Sequence, residues 1–281
     1  MSGIRQARLS CGVEVPVLGQ GTWNMGDSRA AHATELKALR LGLDLGMTLI
    51  DTAEMYGDGA SERLVGEAIV GRRDEVFLVS KVLPSNASRP GVARACRDSL
   101  KRLGTDRLDL YLLHWRGGIA LGETIDAFEI LRREGLILQW GVSNFDVDDM
   151  AEFVGRARPG GCLVNQVLYN LEHRGIEHDM IQYGVEQNVR LMAYSPVGQG
   201  GPLLRHPVLN AVGARHGCSA AQVALAWTIR HRGVISIPKA ATEAHVRENA
   251  AAAALTLAPE DLAELDAAFT PPRRKQPLAM L

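Results

Sequence analysis

Asp51, Tyr56, Lys81 and His114 stand in the strings DTAEMYGDG, VSKVLP and LYLLHW, and together they could carry one half of a carbonyl reduction. A phenol is too weak an acid for neutral pH unless something stabilises its phenolate, and an ammonium a few Å away does that. Lys81 supplies the ammonium, and Asp51 would keep it charged and in place. Tyr56 could then give its proton to an oxygen becoming an alkoxide, while the neutral imidazole of His114 orients the same oxygen. The other half of the reaction is a hydride, which needs a nicotinamide cofactor.

These residues are useful only if the chain gathers them, and the sequence has a pattern that would. Short apolar runs at Leu18–Thr22, Thr48–Asp51, Val76–Lys81, Leu108–His114, Leu138–Val142, Leu163–Gln166, Arg190–Ala193 and Val234–Ile237 read as parallel strands buried on both faces. Helical patterns separate them. Val92, Cys96, Leu100 and Leu103 repeat at helical spacing, opened by Ser88 and Pro90 and stopped by Gly104, and Ser219 with Gln222 forms a capping box. Leu36, Leu39 and Leu43 mark the first helix, and Ile125, Phe128 and Leu131 the fourth. Eight strand–helix units predict an α/β fold of the (β/α)8 TIM-barrel type, spanning residues 1–281 as a single domain. RLSCGVEVPVL reads as an N-terminal β-hairpin closing the bottom of the barrel. A doubly wound sheet is the alternative, but GQGTWNMG after the first strand does not match its glycine fingerprint.

In a barrel the carboxyl ends of the strands surround one mouth. The residues placed there are Asp51, Lys81, His114, Ser143–Asn144, Gln166, Tyr194–Ser195 and Lys239, so seven of the eight strands end in a polar or ionisable group. Turn chemistry explains Asp, Asn and Ser at such positions, but not two lysines, a histidine and a glutamine.

DTAEMYGDG, VSKVLP, LGTDRLDLYLLHW, GVSNF, NQVLYN, AYSPVGQG and IPKAATEAHVREN follow the order and spacing of the aldo-keto reductases. The chain resembles especially the short bacterial members that reduce methylglyoxal and other small aldehydes. The resemblance implies that Asp51, Tyr56, Lys81 and His114 form the catalytic tetrad, with Tyr56 the proton donor. It implies that Ser143, Asn144 and Gln166 hydrogen-bond the nicotinamide carboxamide and that Tyr194 stacks on the ring. Ser195 and the Val197–Leu203 loop, with Gly198 and Leu203, would strap the pyrophosphate. Lys239 and His245 would meet the adenosine 2′-phosphate, and Glu248 and Asn249 the adenine.

Two departures from the family pattern shape the expectations. At the 2′-phosphate site a hydroxyl and a guanidinium are replaced by Ala240 and His245, so NADP(H) is preferred over a still possible NAD(H) by a narrow margin. The tail, TPPRRKQPLAML, and the loop HWRGGIALGE are short, which predicts a shallow, open mouth for small aldehydes and dicarbonyls. Trp23, Tyr56, His114 and Trp115 would line it. Arg116 and the Arg273–Lys275 run read as solvated, Trp140 and Trp227 as packing between barrel and helices, and Tyr111 and Tyr169 as core or rim.

Composition narrows the rest. The 281 residues carry 31 basic and 32 acidic side chains with no run of five like charges, which argues against nucleic acid and anionic membrane as partners. Cys11, Cys96, Cys162 and Cys218 show no metal or disulfide spacing, and His173 and His178 lack zinc spacing, so no metal is expected. The start has no apolar signal region, which predicts a cytoplasmic protein, and by its resemblance a monomer. Two other functions fit the barrel. A Schiff-base aldolase would use a strand-end lysine as nucleophile but gives Gln166, Tyr194 and the glycine strap no role. A cofactor-loaded regulatory barrel would keep the tetrad and turn over slowly.

Overall fold

The computed structural model describes residues 3–157 and 161–281. The chain opens with an antiparallel hairpin, β1 (Gln6–Arg8) and β2 (Glu14–Pro16), in which Gly12 takes the left-handed conformation that the turn requires. Eight parallel strands follow: β3 (Gln20–Gly21), β4 (Leu49–Asp51), β5 (Phe77–Val82), β6 (Leu108–Leu113), β7 (Ile137–Ser143), β8 (Cys162–Leu168), β9 (Arg190–Tyr194) and β10 (Val234–Ser236). Each pairs with the next in sequence order. Bridges from Leu18 to Ser236 and from Gly21 to Lys239 join the last strand to the first and close the barrel.

Helices alternate with the strands: α1 (Arg29–Asp44), α2 (Ala60–Ala68), α3 (Arg89–Leu103), α4 (Leu121–Arg133), α5 (Val147–Arg156), α6 (Met180–Glu186), α8 (Ala220–Thr228) and α9 (Glu243–Ala251). The glycine-rich stretch after β9 forms two 3-10 turns, followed by an extra helix, α7 (Pro207–His216), and α10 (Pro259–Ala268) precedes the tail. The sequence signals act as expected. The Ser88 hydroxyl accepts the Gly91 N–H, Gly104 ends α3 in the left-handed region, and both hydrogen bonds of the Ser219–Gln222 capping box form.

Strand alternation divides the core in two. Leu49, Val79, Leu110, Leu112, Val164, Met192 and Ile235 fill the barrel together with Ala7, Leu9 and Val15 of the hairpin. The Arg190 guanidinium donates to the Arg8 carbonyl and the Arg5 guanidinium to the Ile229 carbonyl, which pins the hairpin across the amino ends of the strands. Residues of opposite parity, such as Ile50, Leu78, Tyr111, Leu113 and Trp140, face the helices. Trp140 stacks on Phe128 and meets Phe153 edge-on, and Tyr111 lies edge-on to Phe128. The same alternation continues to the mouth, so the inward row that is apolar below ends in Asp51, Lys81, His114 and Gln166 above.

Candidate active site

β4 delivers Asp51, β5 Lys81, the end of β6 His114, and the loop after β4 Tyr56. Asp51, Lys81 and His114 are buried, Lys81 completely. An ammonium has three N–H bonds, and those of Lys81 are all used: Asp51 Oδ2 accepts at 2.8 Å, the Thr52 carbonyl at 2.9 Å and Tyr56 Oη at 3.1 Å. Gln166 Nε2 donates to the other Asp51 oxygen at 2.7 Å. Each carboxylate oxygen therefore has a donor, which is what permits a buried ion pair. The four residues expected to act together do meet at one rim.

Burial lowers the affinity of Lys81 for its proton, but the charges of Asp51 and Tyr56 outweigh it, so the ammonium is held above its usual pKa. For Asp51, burial raises the carboxyl pKa against the opposing pull of Lys81 and Gln166. The Lys81 charge pulls Tyr56 toward greater acidity, as its position predicts, yet burial and the Asp51 charge exceed it, and the net effect holds the phenol above its usual pKa. Tyr56 consequently keeps its proton across the neutral range. That suits a donor whose proton should leave only when an oxygen beside it becomes strongly basic.

The His114 ring lies edge-on to Tyr56, with centroids 5.8 Å apart, and tilts against Trp115 at 4.9 Å. Burial, helped by the Lys81 charge, pushes its pKa down to about 2, so the imidazole is neutral. Its Nδ1 is buried without a partner, which leaves Nε2 as the nitrogen that can meet a substrate oxygen. Asn144 Nδ2 donates to the His114 carbonyl and to Ser143 Oγ, both at 3.2 Å, and the Tyr194 hydroxyl donates to Asn144 Oδ1 at 3.0 Å. Ser143 Oγ donates to the Gln166 carbonyl. Ser143, Asn144, Gln166 and Tyr194 thus form one frame across the ends of β7, β8 and β9. Gln166 spends its two amide hydrogens on Asp51 and on Met192 Sδ, so it can offer a ligand only its carbonyl oxygen.

The backbone is strained at this same end. Of six non-glycine residues with positive φ among those described, Asn24, Asp58, Asn144, Ser195 and Gln199 lie in loops that follow strands. Such strain persists where surrounding structure fixes it, and it concentrates at binding sites. The Ser195 carbonyl accepts from Asn170 Nδ2, a contact between two loops that no local pattern announces. Gly198 and Gly200 also take positive φ in the loop that Leu203 anchors to the core. Lys239 is exposed beside the end of β3, and His245 is exposed in the first turn of α9, whose cap Thr242 accepts the His245 N–H. Arg247 is exposed too, Glu248 half-buried and Asn249 buried. Trp23 is exposed and Trp115 half-buried at the rim.

Two surface readings hold and gain partners. Arg116 is exposed, and its guanidinium bridges Asp149 and Glu152 of α5, each at 2.6 Å. The Arg273–Lys275 run is exposed as well, with Lys275 pairing with Asp146 at 3.4 Å and Asp179 at 3.6 Å, and Leu278 further along packs against the outer core.

A closed parallel barrel with a tyrosine–lysine–aspartate–histidine constellation at its carboxyl mouth defines a barrel built for proton transfer to a carbonyl oxygen. Comparison with known proteins places it further. Residues 17–269 match the aldo/keto reductase family, and the chain belongs to that family. It is 50% identical to methylglyoxal reductase YeaE of Escherichia coli strain K12, an alignment covering 99% of each protein. It is 35% identical to the glyoxal reductase of Bacillus subtilis strain 168, over 92% of this chain and 91% of that one. The crystal structure of an aldo/keto reductase from Klebsiella pneumoniae in complex with NADP and acetate superposes with a TM-score of 0.96 at 48% identity, covering 99% of this chain and all of that one.

Proposed function

We propose that residues 1–281 act as a single catalytic unit, an NADPH-dependent reductase that converts small aldehydes and dicarbonyls to alcohols. The observation that carries this reading is the three-way hydrogen bonding of Lys81 to Asp51, Thr52 and Tyr56 at the barrel mouth. A bound nicotinamide would supply the hydride. The residues present fit that group: the Tyr194 ring is fixed by Asn144, Gln166 keeps a free carbonyl oxygen for a carboxamide N–H, and two glycines open the loop after β9. Ser143, Asn144, Gln166 and Tyr194 would hold the nicotinamide end, and Ser195, Gly198 and Leu203 the pyrophosphate. Lys239 and His245 would hold the 2′-phosphate, and Glu248 and Asn249 the adenine.

The protein's own part follows from the geometry. His114, neutral, orients the carbonyl oxygen through Nε2. Tyr56 gives that oxygen a proton as negative charge develops on it, and Lys81 stabilises the phenolate left behind. Asp51 keeps the ammonium charged throughout. The relatives named methylglyoxal reductase and glyoxal reductase support small dicarbonyl substrates, and Trp23, exposed, and Trp115, half-buried beside His114, would supply apolar walls. An aldolase would need Lys81 as a free amine, whereas its ammonium is fully hydrogen-bonded and its pKa is raised. A monomer in the cytoplasm accords with near-balanced charge and four unpaired cysteines. Among the described residues no helix is long and apolar enough to cross a membrane.

The test is oxidation of NADPH in the presence of methylglyoxal and a panel of small aldehydes. Turnover is expected; a chain that binds NADPH yet reduces none of them would be the regulatory barrel instead. With His245 in place of a permanent cation, NADPH should lead NADH by less than in the His245→Arg variant. Equal NADPH affinity in the two proteins would remove His245 from the phosphate site.

A further inference from the structure

Behind the ion pair lies a row of side chains that neither the tetrad nor the cofactor frame uses. Thr22, at the end of β3, Thr52, beside Asp51, and Ser61, in the first turn of α2, are all fully buried. Their hydroxyls form one directed chain. Thr52 Oγ1 donates to Ser61 Oγ at 3.2 Å, Ser61 Oγ to Thr22 Oγ1 at 2.7 Å, and Thr22 Oγ1 to the Asp51 carbonyl at 2.9 Å. Each of the three hydroxyl protons has an acceptor, and the Ser61 hydroxyl has the Thr22 carbonyl within reach as well, at 3.0 Å, so the cluster has no leftover donor and its links reinforce one another. It begins at Thr52 and ends at Asp51, the two residues that supply two of the three acceptors of the Lys81 ammonium. The Ser61 N–H also donates to the Tyr56 carbonyl at 3.3 Å, tying the start of α2 to the loop that carries the third.

We propose that Thr22, Thr52 and Ser61 are positioning residues for the carbonyl reduction, a hydroxyl chain that sets where the Lys81 ammonium stands relative to the Tyr56 oxygen. The inference rests on the reading of Tyr56 as proton donor. Its physical basis is that a solvated loop could not hold the Thr52 carbonyl against Lys81 so closely, whereas a buried hydroxyl chain has no water to exchange with. Loss of one link loosens residues 51 and 52 together. The ammonium then stabilises the phenolate less well, and proton transfer slows without any change in what binds the substrate.

The test separates hydroxyl from packing. Thr22→Val and Thr52→Val remove the oxygen at nearly constant volume, and Thr22→Ser and Thr52→Ser keep it while losing a methyl. The valine variants should lose about tenfold in kcat with KM for NADPH and methylglyoxal within about twofold of wild type, and the alkaline limb of kcat against pH should move up by about half a pH unit. The serine variants should keep both wild-type properties. Should a valine variant fail to fold, Ser61→Ala, which deletes one oxygen, is expected to show the same kcat loss and the same displaced limb. Wild-type kcat and pH limb in folded valine or Ser61→Ala variants would overturn the proposal, as would serine variants that lose as much as valine ones. Titration of the Tyr56 phenol by ultraviolet absorbance, as the difference from Tyr56→Phe, reads the same displacement without turnover. A wild type that reduces no carbonyl would sink the reductase reading, while an unmoved phenol titration in the valine variants would sink the hydroxyl chain alone.

Discussion

His114 shows how a single buried side chain couples chemistry to stability. A neutral ring can orient a carbonyl oxygen without competing with Tyr56 as acid, and burial keeps it neutral by pushing its pKa from 6.5 down to about 2. In the unfolded chain the same ring takes up a proton near its ordinary pKa. Between those two values the unfolded state binds the extra proton, so stability falls as pH falls, by up to about 1.4 kcal/mol per pH unit from this residue. His114→Gln has no such titration. Its unfolding free energy should therefore decline less steeply than that of wild type between about pH 6 and 4, as measured by denaturant titration. Parallel acid slopes would show that the ring is not held neutral by the fold. At this scale the meeting of Asp51, Tyr56, Lys81 and His114 at one rim was legible, because Asp, Tyr, Lys and His in those strings have one chemistry in common. Thr22, Thr52 and Ser61 were not legible, because a buried hydroxyl most often serves the backbone near it and nothing in the sequence says that three will join. The net direction of the Tyr56 shift was also out of reach, since it depends on how completely the phenol is desolvated.

The elements were read to within two residues at nearly every strand end. The reason is that apolar runs buried on both faces leave little freedom in where a parallel strand stops. What the runs do not reveal is their registration. β7 and β8 change register between Trp140 and Val142, at Gly141, and this is what brings Ser143 level with Gln166. A Cβ on Gly141 would press on the Val164 carbonyl oxygen of β8 and lie 3.0 Å from Leu112 Cδ2 inside the barrel. The first is backbone, and the second is a methyl packed in the barrel core. Gly141→Ala should accordingly destabilise the protein by about 1–3 kcal/mol, seen as a lower denaturant midpoint with an unchanged slope. A midpoint equal to wild type would mean that the two strands can shift at no cost. Within the Val197–Leu203 loop and just before it, positive φ at Gln199 and Ser195 is a tertiary outcome that their residue types do not announce.

For the whole molecule, closure of the barrel converts residues far apart in sequence into neighbours. Gln166 reaches Asp51 across 115 positions, and Asn144 links the carbonyl of His114 to the hydroxyl of Tyr194. The tail shows what its own sequence does not carry. The Arg273–Lys275 run is exposed, as its charge implies, yet Lys275 also finds Asp146 and Asp179 at the starts of α5 and α6, and Leu278 packs against the outer core. Contacts of that kind depend on where the fold places two acidic caps, not on the tail itself. Whether this closure serves to set one phenolic proton beside a carbonyl oxygen is answered by Tyr56→Phe. With NADPH binding checked by fluorescence, single-turnover reduction of methylglyoxal should slow by about 10²–10⁴-fold while cofactor affinity stays within about twofold of wild type. A variant that binds NADPH normally and reduces methylglyoxal at the wild-type rate would mean that Tyr56 is not the proton donor.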